Sequence, residues 1–457
     1  MKNLLLSRLL IGLVCLLPVT GFAQEPAEDD VIGVEAQVAL EVPAAAEAGP
    51  DFDAVRATQA YLGLLSDEQK AQSDAYFEGG YWLLLWGFLY EIGIAALLLF
   101  TGFSAWLRDR TQRTRFHGLN GAFYGAGYIV ATFALALPLA IYTDYFREHA
   151  YGLSNLTFSA WLGDEFTGLL VGIVLGMLLI GVLYAVFRRT PRTWWVWGSV
   201  VAVTFLIFAA TIAPVYISPL FNDYKPLPEG PVRASILSMA RANQVPADNV
   251  YWFDASKQST RISANVSGFA GTTRISLNDN LLTRSPHASI DAVMGHELGH
   301  YVLNHGPKHI ISFGLVLLIG FGFVAATFNR TVRRFGASWG VRGIEDPAGL
   351  PLLVALFAVY FFLATPVTNS IIRVAEVESD IFGLNAARAP DGFALVAMQL
   401  SEYRKIQPGY WEELLFFDHP SGYNRVRMAM EWKAENIESL QEAAAEDLPA
   451  AGMPVAE

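Results

Sequence analysis

Six long apolar stretches constrain this chain more than any other feature of its sequence. Each approaches or exceeds the about 20 residues that a helix needs to cross roughly 30 Å of hydrocarbon. With 53% hydrophobic and 16% charged residues, the chain has more apolar residues than a soluble core requires. The sequence therefore predicts a mainly α-helical, multi-pass membrane protein rather than a soluble protein with buried core helices. The predicted spans are 81–103, 119–141, 168–187, 194–213, 310–328 and 350–369.

The charges of the connecting loops predict the orientation of these spans. Arginines follow the first, third and fifth spans, whereas the loop after the second span is acidic. Basic loops are retained on the cytoplasmic side of a membrane. Residues 1–23 have the pattern of a secretory signal or, alternatively, of an uncleaved anchor helix, and both place residue 24 outside. The soluble segments 221–309 and 371–437 are therefore predicted on the external face of an inner membrane.

The two ends of the chain differ from the rest in composition. Residues 24–53 and 438–457 consist mainly of Ala, Glu, Asp, Pro and Val without usable periodicity. Such segments bury too little apolar surface to offset the entropy of ordering, so we predict a disordered acidic linker and a disordered tail. Between them, the sequence predicts a membrane domain with four spans at 54–220, a soluble segment at 221–309, two further spans at 310–370 and a second soluble segment at 371–437.

The first soluble segment has the periodicities of an α+β fold. Short β-type runs alternate with amphipathic helical runs, which predicts a small sheet packed against helices. The predicted helices are 232–243 and one starting at Ser289, and the predicted strands are 250–254, 261–266 and 273–277. In the second soluble segment, helices are predicted near 373–387 and 423–435.

Charge and cysteine content exclude several classes of function. The formal net charge is -12 and no dense run of Lys or Arg occurs, so a nucleic-acid partner is not expected. The single cysteine, Cys15, can form neither a disulfide framework nor a thiolate metal site. Any metal bound by this chain must use His and carboxylate ligands.

The motif with the clearest chemistry is His296-Glu297-Leu-Gly-His300. Two histidines at positions i and i+4 lie on one face of a helix and can bind the same zinc ion. Zinc lowers the pKa of a bound water toward about 7, and a neighbouring carboxylate can accept the remaining proton. We therefore predict His296 and His300 as metal ligands and Glu297 as the catalytic base. Two solvated surface histidines are the alternative.

A hydrolytic zinc site requires a third protein ligand. The chain has no third histidine at the spacing of the longer metzincin pattern, so another residue must supply it. Glu376 is the best candidate, because Asp380 stands one helical turn away and could orient a ligand. Glu378 lies on the opposite helix face. A solvated acidic face is the alternative interpretation of this trio.

With these motifs the sequence resembles the integral-membrane CAAX prenyl protease type I family of zinc endopeptidases. Including weaker similarity at 148–154 and 226–230, the resemblance covers roughly residues 52–435. Four blocks carry the resemblance: Ser256-Lys257 with 265–269 and 274–275; the site helix 295–305; 373–380; and His419-Pro420 with Arg425.

The resemblance implies roles for four further site residues. It implies that Glu376 is the third zinc ligand and that Asp380 orients a ligating histidine. His419 and Arg425 match a late motif of the family, whose histidine is expected to stabilise the oxyanion of the tetrahedral intermediate. A donor aimed at that developing charge in a dry site is worth a few kcal/mol.

The resemblance also implies a fold and a substrate-binding edge. Family members fold as a ring of transmembrane helices around an internal chamber, capped by an α+β zinc-peptidase domain. Asn265, Val266 and Gly268 match the strand edge on which family members align an extended substrate. Glu91, an ionisable residue within the first span, is expected to face a cavity or a buried partner.

Together these features predict a membrane-embedded zinc endopeptidase with one zinc ion per chain. Its expected partners are the lipid bilayer and a peptide or protein substrate that is membrane-associated, exported or lipidated. An external zinc domain favours membrane-associated or exported polypeptides over farnesylated proteins. The alternative from another functional class is a protease-like zinc sensor or scaffold of the membrane that does not turn over substrate.

Reporter fusions test the predicted orientation. A reporter that is active only outside the cytoplasm is expected to give signal when fused at Asn222 or after the C-terminal Glu457. A fusion at Arg189, in a basic loop, is the matched control and is expected to be silent. Cytoplasmic signal from both Asn222 and the C-terminus would reverse the orientation.

Overall fold

The computed structural model describes residues 40–113, 117–267 and 273–446. The predicted signal or anchor at 1–23 lies outside these ranges. The helices are α1 (Ala54–Leu62), α2 (Asp67–Phe100), α3 (Phe103–Gln112), α4 (Asn120–Ala140), α5 (Phe158–Arg189), α6 (Trp194–Ile212), α7 (Pro231–Ala242), α8 (Asp279–Arg284), α9 (His287–Val302), α10 (His305–Trp339), α11 (Leu350–Ala387), α12 (Pro390–Leu400), α13 (Tyr410–Phe416), α14 (Gly422–Glu435) and α15 (Ile437–Glu446). The strands are β1 (Tyr224–Pro226), β2 (Val250–Phe253), β3 (Ala264–Ser267) and β4 (Arg274–Asn278).

Six helices of the described chain are long and apolar enough to cross a membrane, and they correspond to the six predicted spans. They are α2, α4, α5, α6, α10 and α11. Helix α4 continues through a π-helical turn (Ile141–Phe146) and a short α-helical turn (Arg147–Ala150), and the span that begins with α6 continues to Leu220. Several are longer than predicted because they continue beyond the apolar stretch. For example, α2 begins at Asp67, where Ser66 and Gln69 form a reciprocal capping box. It ends before Gly102, which adopts the left-handed conformation at φ 72°. The predicted polytopic helical fold class is confirmed.

The apolar helices contact one another in a closed ring. Following the contacts, α2 packs against α4, α4 against α5, α5 against α6, α6 against α10, α10 against α11, and α11 against α2. Buried aromatic and aliphatic side chains fill the contacts between neighbours, among them Tyr184, Phe187, Phe321 and Phe357. This order agrees with the ring of helices that the resemblance implies.

The soluble part carries a mixed four-stranded sheet with the strand order β1-β2-β4-β3. Strands β2 and β4 are parallel, whereas β1 and β3 join the sheet antiparallel to their neighbours. The three predicted strands are present, with ends that differ from the prediction by at most three residues. The sequence missed β1, whose three residues include a proline, and the short helix α8. Because β3 pairs on one side only, it forms an edge of the sheet.

Helix α9 lies at the centre of the soluble part. It contacts β3 and α7 on one side and α11 and α12 on the other. Its apolar residues Ile290, Met294 and Leu298 are at most 2% exposed. They recur every four residues and so form one buried face against the sheet side. Burial of this face fixes the rotation of α9 and therefore the direction of its polar residues.

Both predicted disordered segments are partly folded, which corrects the sequence prediction. Ala46, from the predicted linker, is fully buried, and its carbonyl oxygen accepts a 2.6 Å hydrogen bond from Lys433 Nζ. Residues 438–446 of the predicted tail belong to α15. A segment that cannot build its own core can still pack on a neighbouring one, as Ala46 does on the core of α12 and α14. The remainder of the linker and tail, 24–39 and 447–457, lies outside the described residues.

Glycines allow α9 and α11 to approach backbone to backbone. A Cβ atom at Gly383 would lie 2.7 Å from the backbone nitrogen of His296. One at Gly295 would lie 2.9 Å from the carbonyl oxygen of Gly383. Distances below 3.0 Å to backbone atoms require the helices to move apart. The separation between these two helices therefore depends on both glycines.

A substitution tests this contact. Gly383→Ala is expected to lower the free energy of unfolding by about 1–3 kcal/mol, the usual range for overpacking a close contact. The measurement is thermal unfolding of the purified protein in detergent. The matched control is Gly80→Ala on α2, where the added Cβ meets no atom within 4 Å and no loss is expected. Equal stability of both variants would contradict the close approach.

Candidate metal centre

The two motif histidines converge at the surface of α9. Residues 287–302 are helical, so His296 and His300 stand one turn apart on the same face. Their Nε2 atoms are 3.1 Å apart and their rings meet edge to face at a centroid distance of 4.8 Å. Both nitrogens therefore point to one location. Glu297, between them in sequence, is partly exposed on the same helix.

Glu376 reaches the histidine pair from α11. Its Oε2 atom lies 3.4 Å from Nε2 of His296, and its Oε1 atom lies 3.6 Å from Nε2 of His300. One donor atom from each of the three residues falls within 4.8 Å of the others. Two imidazoles and a carboxylate are the donor set of a hydrolytic zinc site. The residues present thus fit a metal ion of this kind.

Asp380 and Arg425 hold two of these side chains in place. Asp380 Oδ1 accepts a 2.7 Å hydrogen bond from Nδ1 of His296, which directs the opposite nitrogen toward Glu376. Arg425 donates from Nε to Asp380 at 2.8 Å and from its terminal nitrogen to Glu376 at 3.1 Å. Because all three charged residues are at most 8% exposed, the guanidinium offsets the cost of burying two carboxylates.

His419 approaches the same carboxylate from the segment before α14. Its Nε2 atom is 3.2 Å from Glu376 Oε2, and Nδ1 donates to Asp418 Oδ1 at 2.7 Å. Burial and the positive charge of Arg404 lower the pKa of His419, whereas both carboxylates favour its protonated form. Although burial opposes ionisation of Asp418, His419 lowers the pKa of this carboxyl below its usual range. Asp418 was not predicted from the sequence, where its only signal is its position directly before the His-Pro pair.

The two motif histidines have opposite pKa shifts. Burial disfavours the charged ring of His296, but its hydrogen bonds to Asp380 and Glu376 prevail and raise its pKa to about 10. Burial lowers the pKa of His300 to about 3, and the charge of His296 acts in the same direction. Protons and a metal ion compete for these nitrogens, so metal binding here is expected to release a proton.

His305 lies at the end of the block 295–305, but the sequence pattern assigns it no role. Its Nδ1 atom lies 2.9 Å from Nδ1 of His300, and its Nε2 atom lies 2.9 Å from Glu378 Oε2. Glu378 thus faces away from the centre formed with Glu376, as its helix position predicts, but it remains connected to His300 through His305. The signal in the sequence was the spacing His300-x₄-His305, which is not a helical repeat.

The predicted substrate strand lies beside the centre. Asn265 and Val266 belong to β3 and pair with Ser276 and Ile275 of β4, so their other side has no partner strand among the described residues. Strand β3 contacts α9, the helix that carries the histidines. Gly268, the third predicted residue, lies outside the described residues.

The comparisons with known proteins extend over nearly the whole described chain. Residues 226–433 match the model of peptidase family M48. Residues 54–223 match the model of the CAAX prenyl protease N-terminal region, described as five membrane helices. The second match covers the membrane domain that precedes the sheet, and the first covers all residues of the candidate metal centre.

Individual relatives agree with these matches. An uncharacterized metalloprotease of Bacillus subtilis, YhfN, is 30% identical over 68% of this chain and 73% of its own length. The CAAX prenyl protease 1 homolog of Arabidopsis thaliana is 25% identical over 80% of this chain and 88% of its own length. CAAX prenyl protease 1 of Saccharomyces cerevisiae is 30% identical over 43% of each chain.

A solved structure shares the fold. The crystal structure of S. mikatae Ste24p aligns with a TM-score of 0.67 and 21% identity, covering 80% of this chain and 89% of that chain. These relationships do not favour the alternative of a sensor or scaffold without turnover. The chain belongs to peptidase family M48 and is a membrane-embedded metalloendopeptidase.

Proposed function

We propose that this chain hydrolyses peptide bonds with one zinc ion held by His296, His300 and Glu376. The observation that carries the proposal is the convergence of their donor atoms within 4.8 Å, from two different helices. A bound zinc ion would polarise the scissile carbonyl group and lower the pKa of a water molecule. Three protein ligands leave one coordination position open, as a catalytic zinc requires.

Glu297 is the proposed general base. Glu297 directly follows His296 on α9, which is the position of the general base in an H-E-x-x-H zinc motif. It would take a proton from the attacking water and deliver it to the leaving amine, so no covalent intermediate is needed. The residue is partly exposed, which allows water to reach it.

His419 and Arg425 have different proposed roles. His419 is partly buried beside Glu376, and its Nε2 atom faces this ligand carboxylate, which suits a donor to the developing oxyanion. Asp418 accepts from Nδ1, and its negative charge favours the doubly protonated ring, which is the form that could donate from Nε2. Arg425, in contrast, is engaged by Glu376 and Asp380. We therefore propose Arg425 as a positioning residue that keeps the ligand carboxylate and the orienting carboxylate in place.

The free edge of β3 is the proposed binding site for an extended substrate. An exposed strand edge offers unpaired main-chain groups that can pair with a peptide over its whole length. Asn265 and Val266 lie on this edge, next to the helix that carries the histidines. A substrate strand added here would run past the metal centre with its main chain held in register.

The substrate is a peptide or protein, and we propose that it is presented at the external membrane surface. This orientation is supported by the alternation of basic and acidic loops along the six spans. Membrane-associated or exported polypeptides would meet the centre on that side. Lipidated polypeptides are the second candidate, because several relatives are named CAAX prenyl proteases.

Glu297→Gln tests the proposed mechanism. Loss of the base is expected to reduce kcat for a model peptide by about 10²–10⁴-fold, the usual contribution of general base catalysis, with zinc content unchanged. Glu431→Gln, at a half-exposed position on α14, is the matched carboxylate control and should retain full activity. Equal cleavage by wild type and Glu297→Gln would remove Glu297 from the mechanism.

Peptides that accumulate in cells carrying Glu297→Gln but not in cells carrying the control Glu431→Gln would identify the substrate class.

A further inference from the structure

The junction between α9 and α10 brings a third histidine to the metal centre. Asn304 separates the two helices and adopts the left-handed conformation at φ 58°, which asparagine tolerates better than most residues. This break redirects the chain, so that His305 lies beside His300 although four residues separate them. His305 is 1% exposed, and its ring meets that of His300 at a centroid distance of 5.0 Å.

The contacts of His305 form a continuous chain of hydrogen bonds. The imidazole spans from Nδ1 of His300, at 2.9 Å, to Oε2 of Glu378, also at 2.9 Å. Lys308 donates to the same Glu378 oxygen at 2.8 Å, and Ser379 Oγ lies 3.2 Å from His305 Nδ1. A buried ring held at both nitrogens has little freedom to rotate, so the direction of its Nδ1 atom is fixed.

These contacts fit a single assignment of ring hydrogens. The Nε2 atom of His300 faces His296 and Glu376, so it must be free of hydrogen to bind a metal ion. Its Nδ1 atom then carries the hydrogen and donates to Nδ1 of His305. The hydrogen of His305 is consequently on Nε2, where it donates to the Glu378 carboxylate. Each donor in the chain meets an acceptor.

We propose that His305, supported by Glu378, is a positioning residue that fixes the ring orientation and tautomer of His300. It would do for His300 what Asp380 does for His296, whose Nδ1 atom donates to a carboxylate directly. The inference rests on the proposed role of His300 as a zinc ligand. It adds a residue outside the metal-binding motif to the set on which zinc affinity depends.

The zinc affinity of three variants tests this role. His305→Leu removes the acceptor, whereas His305→Asn retains one, because the asparagine Oδ1 atom can take the place of Nδ1. We expect His305→Leu to weaken zinc binding by about 10–100-fold and His305→Asn to restore most of this loss. The matched control is His309→Leu, one turn along α10, where Nε2 has no hydrogen-bond partner among the described residues and no change is expected. The measurement is chelator competition on the full-length protein in detergent, with thermal unfolding of the metal-free forms.

The outcomes separate this inference from the proposed function. Unchanged zinc affinity in His305→Leu, or an equal loss in His305→Leu and His305→Asn, overturns the inference. If the wild-type protein binds no zinc, the proposed metal centre itself is overturned. Should His305→Leu fail to fold, Glu378→Leu decides, because it removes the acceptor of His305 Nε2 at a side chain that is 44% exposed and so opens no cavity. A loss of zinc affinity without a change in unfolding supports the inference, and unchanged affinity overturns it.

Discussion

The candidate metal centre depends on the backbone contact between α9 and α11. The two histidines come from one helix and Glu376 from the other, so their donor atoms converge only while the helices remain close. Gly295 and Gly383 permit this distance, because a side chain at either position would meet backbone of the opposite helix. Helix α11 is also one of the six apolar helices, so Glu376 stands on a helix that is long and apolar enough to cross the membrane.

Charge balance in a nearly dry space is the second constraint on the centre. Glu376, Asp380 and Arg425 are all buried, and an unpaired charge of this kind would be costly. Asp380 contacts Arg425 and His296, and Glu376 contacts Arg425 and His419, so both carboxylates are paired. The arrangement that makes burial tolerable also fixes the directions of the ligand atoms, so stability and site geometry have the same physical origin.

The sequence predicted the features that follow from local patterns. Apolar length identified the six spans, and the spacing of His296 and His300 identified a shared helix face. The sequence pattern makes Glu376 the best candidate for the third ligand but leaves a solvated acidic face as the alternative, since the distance of Glu376 from the histidines depends on helix packing. Asp418 and His305 were missed because their roles arise from a loop and from the left-handed turn at Asn304, neither of which has a periodic signature. The folded part of the acidic linker was missed because its burial depends on a core formed by distant helices.

Anomalous scattering at the zinc absorption edge, recorded from crystals of the full-length protein, tests whether His296, His300 and Glu376 bind zinc. One strong peak per chain is expected, about 2.0–2.2 Å from Nε2 of His296, Nε2 of His300 and a carboxylate oxygen of Glu376. A zinc peak bound by other residues, or no peak at these three side chains in zinc-loaded crystals, would contradict it.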